Sequence, residues 1–240
     1  MRDKIYNNYI STHFGSINKG DLREYNTYYR YFDNNYTRFM PGNTGARVLE
    51  IGCGMGHFLY YLEKRGYVNY LGIDLSRENI EFCQDKQFRA EQRDVFKFLE
   101  DNIDLFDAII INDVLEHFRK EEIFALLDLI SKNLSTNGTL IAKVPNSANP
   151  IVGNSSRYLD FTHETSFTEE SMSQILKVSG FNNVSIHPQN IYIFYFNPVN
   201  YLAKAFAWTT FKMFRALFLL YGRKSTKIFT KDIIAVARKT

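Results

Sequence analysis

Two clusters in this 240-residue chain combine residue types and spacings that could do chemistry. The first is Glu50-Ile51-Gly52-Cys53-Gly54-Met55-Gly56, which follows the short apolar run Arg47-Val48-Leu49. Glycines at the end of a strand let the backbone approach a ligand with no Cβ in the way. The spacing is E-x-G-x-G-x-G. A dinucleotide fingerprint needs its third glycine where His57 stands, and no Lys-Ser/Thr pair follows to make a phosphate loop. Asp74 closes the next apolar run, where a carboxylate can accept two hydrogen bonds from ribose hydroxyls. Asp94-Val95 closes the run after that and can meet an adenine edge. One glycine cluster says little. Three acids ending three successive strands point to a nucleoside-bearing ligand.

The second cluster is built on histidine, the side chain whose ordinary pKa suits proton transfer near neutrality. Of five histidines, His13 and His187 sit in polar stretches and are expected at the surface, and His57 covers the glycine turn. His117 and His163 are the candidate bases. His117 follows the fourth strand in Asn112-Asp113-Val114-Leu115-Glu116-His117, where it either reaches a reacting atom or bonds backbone at a helix start. His163 stands in Arg157-Tyr158-Leu159-Asp160-Phe161-Thr162-His163-Glu164. A loop bearing Arg, Asp and His more often contacts substrate than fills a core. An ion pair that merely stabilises the loop is the alternative.

The elements that must hold these residues alternate along the chain. Strands are expected at 47–51, 70–74, 88–94, 106–111 and 139–144, with helices at 21–39, 58–62, 77–86 and 119–134 between them. Helix 119–134 carries Ile123, Leu126, Leu127, Ile130 and Leu134 on one face. Strand–helix alternation with short connections means a parallel sheet covered on both faces. Residues 183–196 and 232–238 are strand-like and should close the sheet. The composition is that of an ordinary globular protein, 45% hydrophobic and 23% charged, which excludes a disordered tail protein. Two cysteines, Cys53 and Cys83, make neither a disulfide scaffold nor a four-thiolate zinc site. The N-terminus opens no apolar run, so the chain is expected in the cytoplasm.

The core motifs resemble those of the class I S-adenosylmethionine-dependent methyltransferases over about residues 45–190. Beyond the glycine turn, the segment 112–117 is similar to the E/D-x-x-E-H segment of ubiquinone-pathway O-methyltransferases. Gly138-Thr139-Leu140, Val144-Pro145-Asn146 and Gly180-Phe181 resemble the family's fifth strand, its exit and the turn before its sixth strand. The resemblance implies an α/β fold, a doubly wound, seven-stranded, mostly parallel Rossmann-like sheet. It would carry an N-terminal arm and helical cap (1–44), a core (45–197), a helical insertion (198–230) and a last strand (231–240). It implies S-adenosyl-L-methionine as cofactor, held by Glu50, Gly52, Cys53, Gly54, Gly56, Asp74, Leu75, Asp94, Val95 and Asn112. In the ubiquinone-pathway relatives the acids and histidine hold a divalent cation. Here Asp113 replaces the usual Glu with a shorter reach. No metal is expected, and Asp113, Glu116 and His117 are the alternative ligand set.

The segment 157–168 and the tail motifs Tyr221-Gly222-Arg223 and Ile228-Phe229-Thr230 resemble methyltransferases of bacterial surface-polysaccharide clusters. That likeness implies a hydroxyl of a sugar or lipid-linked glycan as acceptor. His117 or His163 would then be the base, with Asp160 in the catalytic group, and Arg157, Tyr158 and Asn146 would bind substrate. A lipophilic phenol such as a quinone precursor is the alternative acceptor, and a cofactor-binding scaffold the non-enzymatic one. No Pro-Pro-Tyr/Trp amino-methylating motif follows the fourth strand, so nucleic acid is not expected as a partner.

The tail is electrically distinct. Residues 201–240 hold nine Lys/Arg against Asp232 alone, a net +8, whereas residues 1–200 carry a net −5. From Pro198 to Gly222 a helix would place Lys204, Trp208, Lys212 and Arg215 within about 80° of one another. Leu202, Ala205, Phe206, Phe211, Phe214, Leu217, Phe218, Leu220 and Tyr221 would form a wide apolar face. Such a helix fits an anionic membrane surface at the inner face, or else packs on the body or a second subunit.

Overall fold

The computed structural model describes residues 19–194 and 196–239. The expectation for His13 lies outside them. The first helix, α1 (Leu22–Tyr36), starts at Asp21, whose carboxylate accepts from the Glu24 N–H at 2.8 Å. A single 3-10 turn, Thr37–Phe39, stops it before Pro41. Alternation then runs as expected: β1 (Arg47–Ile51), α2 (His57–Lys64), β2 (Asn69–Asp74), α3 (Arg77–Asp85), β3 (Ala90–Gln92), α4 (Val95–Asp101) and β4 (Phe106–Asn112). α5 (Lys120–Asn133), β5 (Leu134–Pro145), α6 (Gly153–Leu159), α7 (Glu169–Val178), β6 (Asn183–Pro188), α8 (Pro198–Leu220) and β7 (Asp232–Arg238) complete the chain.

The strands form one seven-stranded sheet in the order β3-β2-β1-β4-β5-β7-β6. β1 to β5 pair parallel, and β7 inserts antiparallel between β5 and β6. Strand order reverses between β1 and β4, so the carboxyl ends of these two strands flank the crevice where such sheets bind ligands. Apolar side chains fill both faces. On one, Tyr25, Phe32 and Tyr36 of α1 meet Phe58, Tyr61 and Leu62 of α2. On the other, Leu126, Leu127 and Ile130 of α5 and Met172 and Leu176 of α7 lie on Ile109, Ile111 and Leu140.

Three boundaries differ from expectation. β3 is only Ala90–Gln92 rather than 88–94, because Phe88 turns into the α1–α3 side of the core. β5 begins at Leu134, five residues early, and absorbs the Asn137-Gly138 turn as an irregularity with Asn137 at φ 63. β6 ends at Pro188 rather than running to 196. Beyond it α1 captures the chain. The Asn35 amide donates to the Asn190 carbonyl at 2.9 Å, Asn35 Oδ1 accepts the Asn190 N–H at 2.8 Å, and Gln189 Nε2 donates to the Tyr31 hydroxyl at 3.0 Å. The long helix splits its apolar face. Of its expected apolar face, Phe211, Phe214 and Phe218 are half-buried against the body, one of the two placements expected for that face, with the latter two packed on Phe229.

Candidate active site

A cleft of about 610 Å³ opens over the carboxyl ends of β1, β2, β4 and β5. Its floor is the glycine turn. Gly52 and Gly54 both adopt positive φ (72° and 51°), which carries the backbone across the end of β1 toward β2. A Cβ on Gly52 would lie 2.3 Å from Val114 Cγ2. Gly52→Ala is therefore expected to cost about 1–3 kcal/mol through strain and overpacking. For a chain of this size that is a fall of roughly 2–4 °C in unfolding midpoint per kcal/mol, readable by differential scanning calorimetry.

Acids stand around this turn as expected, each held by a donor. Glu50 is buried at the end of β1 and accepts from Asn112 Nδ2 at 3.3 Å; the Tyr36 hydroxyl donates to Asn112 Oδ1 at 2.6 Å and so fixes the amide. Glu50 Oε2 has no partner, and burial pushes the carboxyl well above the usual range. Asp74 accepts the Gly54 N–H on Oδ2 at 2.9 Å and the Ser76 N–H on Oδ1 at 2.8 Å. Burial raises its pKa against the pull of these donors. Asp94 caps α4 by accepting from the Lys97 N–H, and with Leu75, Val95, Arg93 and Asn79 it lines the cleft beside Asp74. Cys53 lines it too. Gly56 does not: it caps α2 and packs toward Phe88 and Cys83, so its task is to start the helix.

The histidines meet on the wall of the same cleft. The rings of His117 and His163 lie edge to face with centroids 4.8 Å apart. The Thr162 hydroxyl donates to Asp160 Oδ1 at 2.6 Å and lies 2.7 Å from His117 Nδ1. Having given its one proton to the carboxylate, it accepts from Nδ1–H, which leaves the basic lone pair of neutral His117 on Nε2. Burial, then the neighbouring His163, push the His117 pKa down to about 4, against opposing pulls from Asp160 and Asp113. His163 Nδ1 lies 2.8 Å from the Ser156 carbonyl, an acceptor only, so its neutral ring also keeps the lone pair on Nε2. Each neutral ring can thus accept a proton at Nε2, and that of His117 also meets the Asp113 backbone.

Three expected substrate ligands are not brought to the cleft. Asn146 is fully buried; its amide donates to the Ile228 and Thr230 carbonyls at 3.0 Å, and its Oδ1 accepts the Ala148 N–H, so it ties β5 to the tail. Arg157 donates to the Glu164 carbonyl and lies over the Tyr158 ring, which is 76% exposed. Both face outward from α6 and miss the cleft. Asp113, a member of the alternative ligand set, stands outside the cluster that forms. At φ 54 it turns into a 2.5 Å ion pair with Lys143. The carboxylate–histidine group that does come together is Glu116, His117 and His163, whose ligand atoms lie within 4.8 Å of one another. Both Glu116 carboxylate oxygens are buried without a partner, and burial with the nearby Asp113 pushes that pKa well up.

Several lining residues went unread in the sequence. Tyr28 and Tyr31 of α1 form part of the wall with Lys143, Gln189 and Asp232. Lys143 is buried with its ammonium 5.7 Å from the Tyr31 ring centre. Burial opposes its charge, but Asp113, the two tyrosines at 31 and 36 and Asp232 outweigh it and hold the pKa well up. A lone cation within Ile141-Ala142-Lys143-Val144, and a lone acid in the basic tail, were the available signals. Thr162 carried none.

The sequence profile of the methyltransferase domain matches residues 23–186. The cyclopropane-fatty-acyl-phospholipid synthase of Escherichia coli is 31% identical over 100 residues, 40% of this chain and 25% of that protein. The mitochondrial ubiquinone biosynthesis O-methyltransferase of Rattus norvegicus is 30% identical over 99 residues, 37% of this chain and 28% of that one. The chain thus spans about a quarter of the length of these curated relatives. An S-adenosylmethionine-dependent methyltransferase from Archaeoglobus fulgidus superposes with a TM-score of 0.64 at 22% identity, over 88% of this chain and 92% of that one. The magnesium protoporphyrin IX methyltransferase of Synechocystis, crystallised with S-adenosylhomocysteine, gives 0.57 at 16% identity over the full length of both. With the profile covering well over half of the chain, and the sheet order and glycine turn described above, the protein belongs to the methyltransferase-domain family and has the fold of the S-adenosylmethionine-dependent methyltransferases.

Proposed function

We propose that the protein is an S-adenosylmethionine-dependent O-methyltransferase acting on a hydroxyl of a sugar or lipid-linked glycan. The observation that carries this is the oriented base: Asp160, Thr162 and His117 form a chain of hydrogen bonds, and Asp160 and His117 line the same cleft as the acid-rimmed glycine turn. A neutral amine can attack without such a base, whereas a hydroxyl must lose its proton as the new bond forms. The cofactor side fits its ligand. Glu50 Oε2 and Asn79 Oδ1 are buried, unpartnered acceptors on the cleft wall, and Asp74 lines the same cleft.

When bound, S-adenosylmethionine supplies a methyl on a sulfonium, already a good leaving group. This chain then aligns the acceptor oxygen and excludes water. His117 Nε2 would take the acceptor hydroxyl's proton as the methyl is transferred, and would return it to solvent afterwards. A sugar is favoured by the acceptor wall, where Tyr28 and Tyr31 stand with Asp113, Lys143, Gln189 and Asp232. Flat rings beside charged and amide groups suit a molecule that is hydroxylated at its edges and apolar on its faces. The sequence likeness of residues 157–168 points the same way.

Labelled cofactor incubated with fractionated cell lipids, glycans and nucleic acid tests this. Label is expected in a glycan or glycolipid fraction and should persist in the presence of EDTA. Label in a phenolic lipid would replace the acceptor, and loss on chelation restored by magnesium would assign the work to a cation on Glu116, His117 and His163. Calorimetric titration tests the cofactor separately: S-adenosylhomocysteine should bind and NAD should not, and Asp74→Ala should weaken binding by about 1–3 kcal/mol. Equal affinity in the two proteins would remove Asp74 from the site.

A further inference from the structure

Gln189 and Ile191 line the cleft, and so do Lys231 and Asp232; between these two pairs the chain leaves the core and returns. The excursion is α8 and the basic turn behind it. Asn197 caps the helix by accepting the Val199 N–H at 3.0 Å, and Pro198 opens its first turn. A single stripe, Asn200, Ala203, Ala207, Thr210, Phe214 and Phe218, recurs every three or four residues, is half-covered and rests on the body. No residue of the 23-residue helix is buried.

At 100° per residue the half opposite that stripe carries Leu202, Phe206, Trp208, Met213, Leu219 and Leu220, all exposed; Phe206 is 74% and Trp208 61% open. Lys204 and Arg215 lie along one edge of this half, Lys212 stands nearer its middle over the Trp208 ring, and Arg223, Lys224 and Lys227 follow in the turn. From residue 171 to residue 231 there is no Asp or Glu. Among the described residues, no helix is long and apolar enough to cross a membrane.

We infer that the outward half of α8, with the Arg223–Lys227 turn, docks on the surface of an anionic lipid bilayer. Charge decides the occupant. A second copy packed two-fold on this face would set a row of cations against the same row, and no acid within the face would neutralise them. An apolar patch edged by cations, with an exposed Trp, matches instead the layered chemistry of acyl boundary, interface and anionic headgroup. Both roots of the excursion lie on the cleft wall, so docking would hold the cleft beside whatever the bilayer carries. The surface stands apart from the acceptor proposal, and its test uses no acceptor.

The full-length protein, mixed with vesicles of phosphatidylcholine alone or with phosphatidylglycerol, gives the test by co-sedimentation. The emission of Trp208, the single tryptophan, gives a second readout. Expected are pelleting and a blue shift with the anionic vesicles at low salt, both lost at high salt. Phe206→Glu with Leu220→Glu should abolish both; these side chains are exposed, so the fold should survive, which circular dichroism checks. Lys212→Ala with Arg215→Ala should weaken binding about tenfold or more. Wild type left in the supernatant at low salt, or equal binding to neutral vesicles, overturns the inference. So does a concentration-dependent dimer in sedimentation velocity that Phe206→Glu dissociates, since the face would then join two copies.

Discussion

His117→Ala should lower the rate of methyl transfer by about 10²–10⁴-fold while leaving cofactor affinity unchanged. Its ring lines the same cleft as the glycine turn, and its orientation depends on a hydroxyl that is itself held by Asp160. Thr162→Val should therefore lose a smaller part of the rate, because the ring stays but its tautomer is no longer fixed. His163→Ala is the matched control: if it alone removes the activity, the base is His163 and the Asp160–Thr162 chain is structural. The pH profile adds a second mark. Burial and the facing His163 bring the His117 pKa down to about 4. A base works in its unprotonated form, so activity should stay level as pH falls through the ordinary histidine range near 6.5 and decline only toward about pH 4–5. An acid limb centred near 6.5 would show that the working base is a solvent-exposed group.

The second large effect concerns Glu50, and it has two signs. In the protein alone, a buried carboxyl with one oxygen unpartnered costs stability. Glu50→Met should raise the stability of the ligand-free protein by about 1–3 kcal/mol, the usual penalty for an unsatisfied buried polar group. The same change removes an acceptor aimed into the cleft, and should weaken S-adenosylhomocysteine binding about tenfold or more, at roughly 1.4 kcal/mol per decade. Thermal unfolding with and without ligand reads both. A variant more stable than wild type without ligand and no longer stabilised by it is the expected result. If the substitution instead unfolds the protein, Glu50 is a structural member of the β1–β4 junction, held by Asn112 and Tyr36.

Local chemistry made the cofactor half of the site legible. Glycine at positive φ, an acid at the end of an apolar run and the strand–helix period are all written within a few residues of one another, and the turn, Glu50, Asp74 and Asp94 lie where they were expected. The acceptor half is assembled from distant segments. Tyr28 and Tyr31 look like a core stripe of an aromatic helix, and only the closing of α1 over β1 and β4 turns them toward the cleft. Gln189 lay in what read as a strand until Asn35 captured the chain at Asn190. Asn146 misled for the opposite reason: a polar residue at a strand's exit resembles a ligand, yet its amide is spent on the Ile228 and Thr230 carbonyls. Asp113 leaves the alternative ligand set for a reason of backbone. A left-handed residue points its side chain away from the path an extended one would take, and no neighbour in sequence announced it.

The antiparallel placement of β7 has a consequence for how such a protein can diversify. Two antiparallel neighbours such as β6 and β7 can be joined by a two-residue hairpin, whereas every parallel pair in this sheet needs a crossover. Residues 189–231 are therefore surplus to closing the sheet. Their last part is pinned, with Asn149 holding the Phe229 carbonyl and Glu169 the Lys227 and Ile228 N–H groups, so the strand re-enters in register whatever precedes it. Loop-closure entropy rises only slowly with length, by about 0.6 kcal/mol per doubling. The segment behind that pin can be lengthened, shortened or exchanged for another at little energetic cost to the catalytic body. The connection between the last two strands thus works as a cassette, free to take on a new cellular address while the chemistry beneath it stays the same.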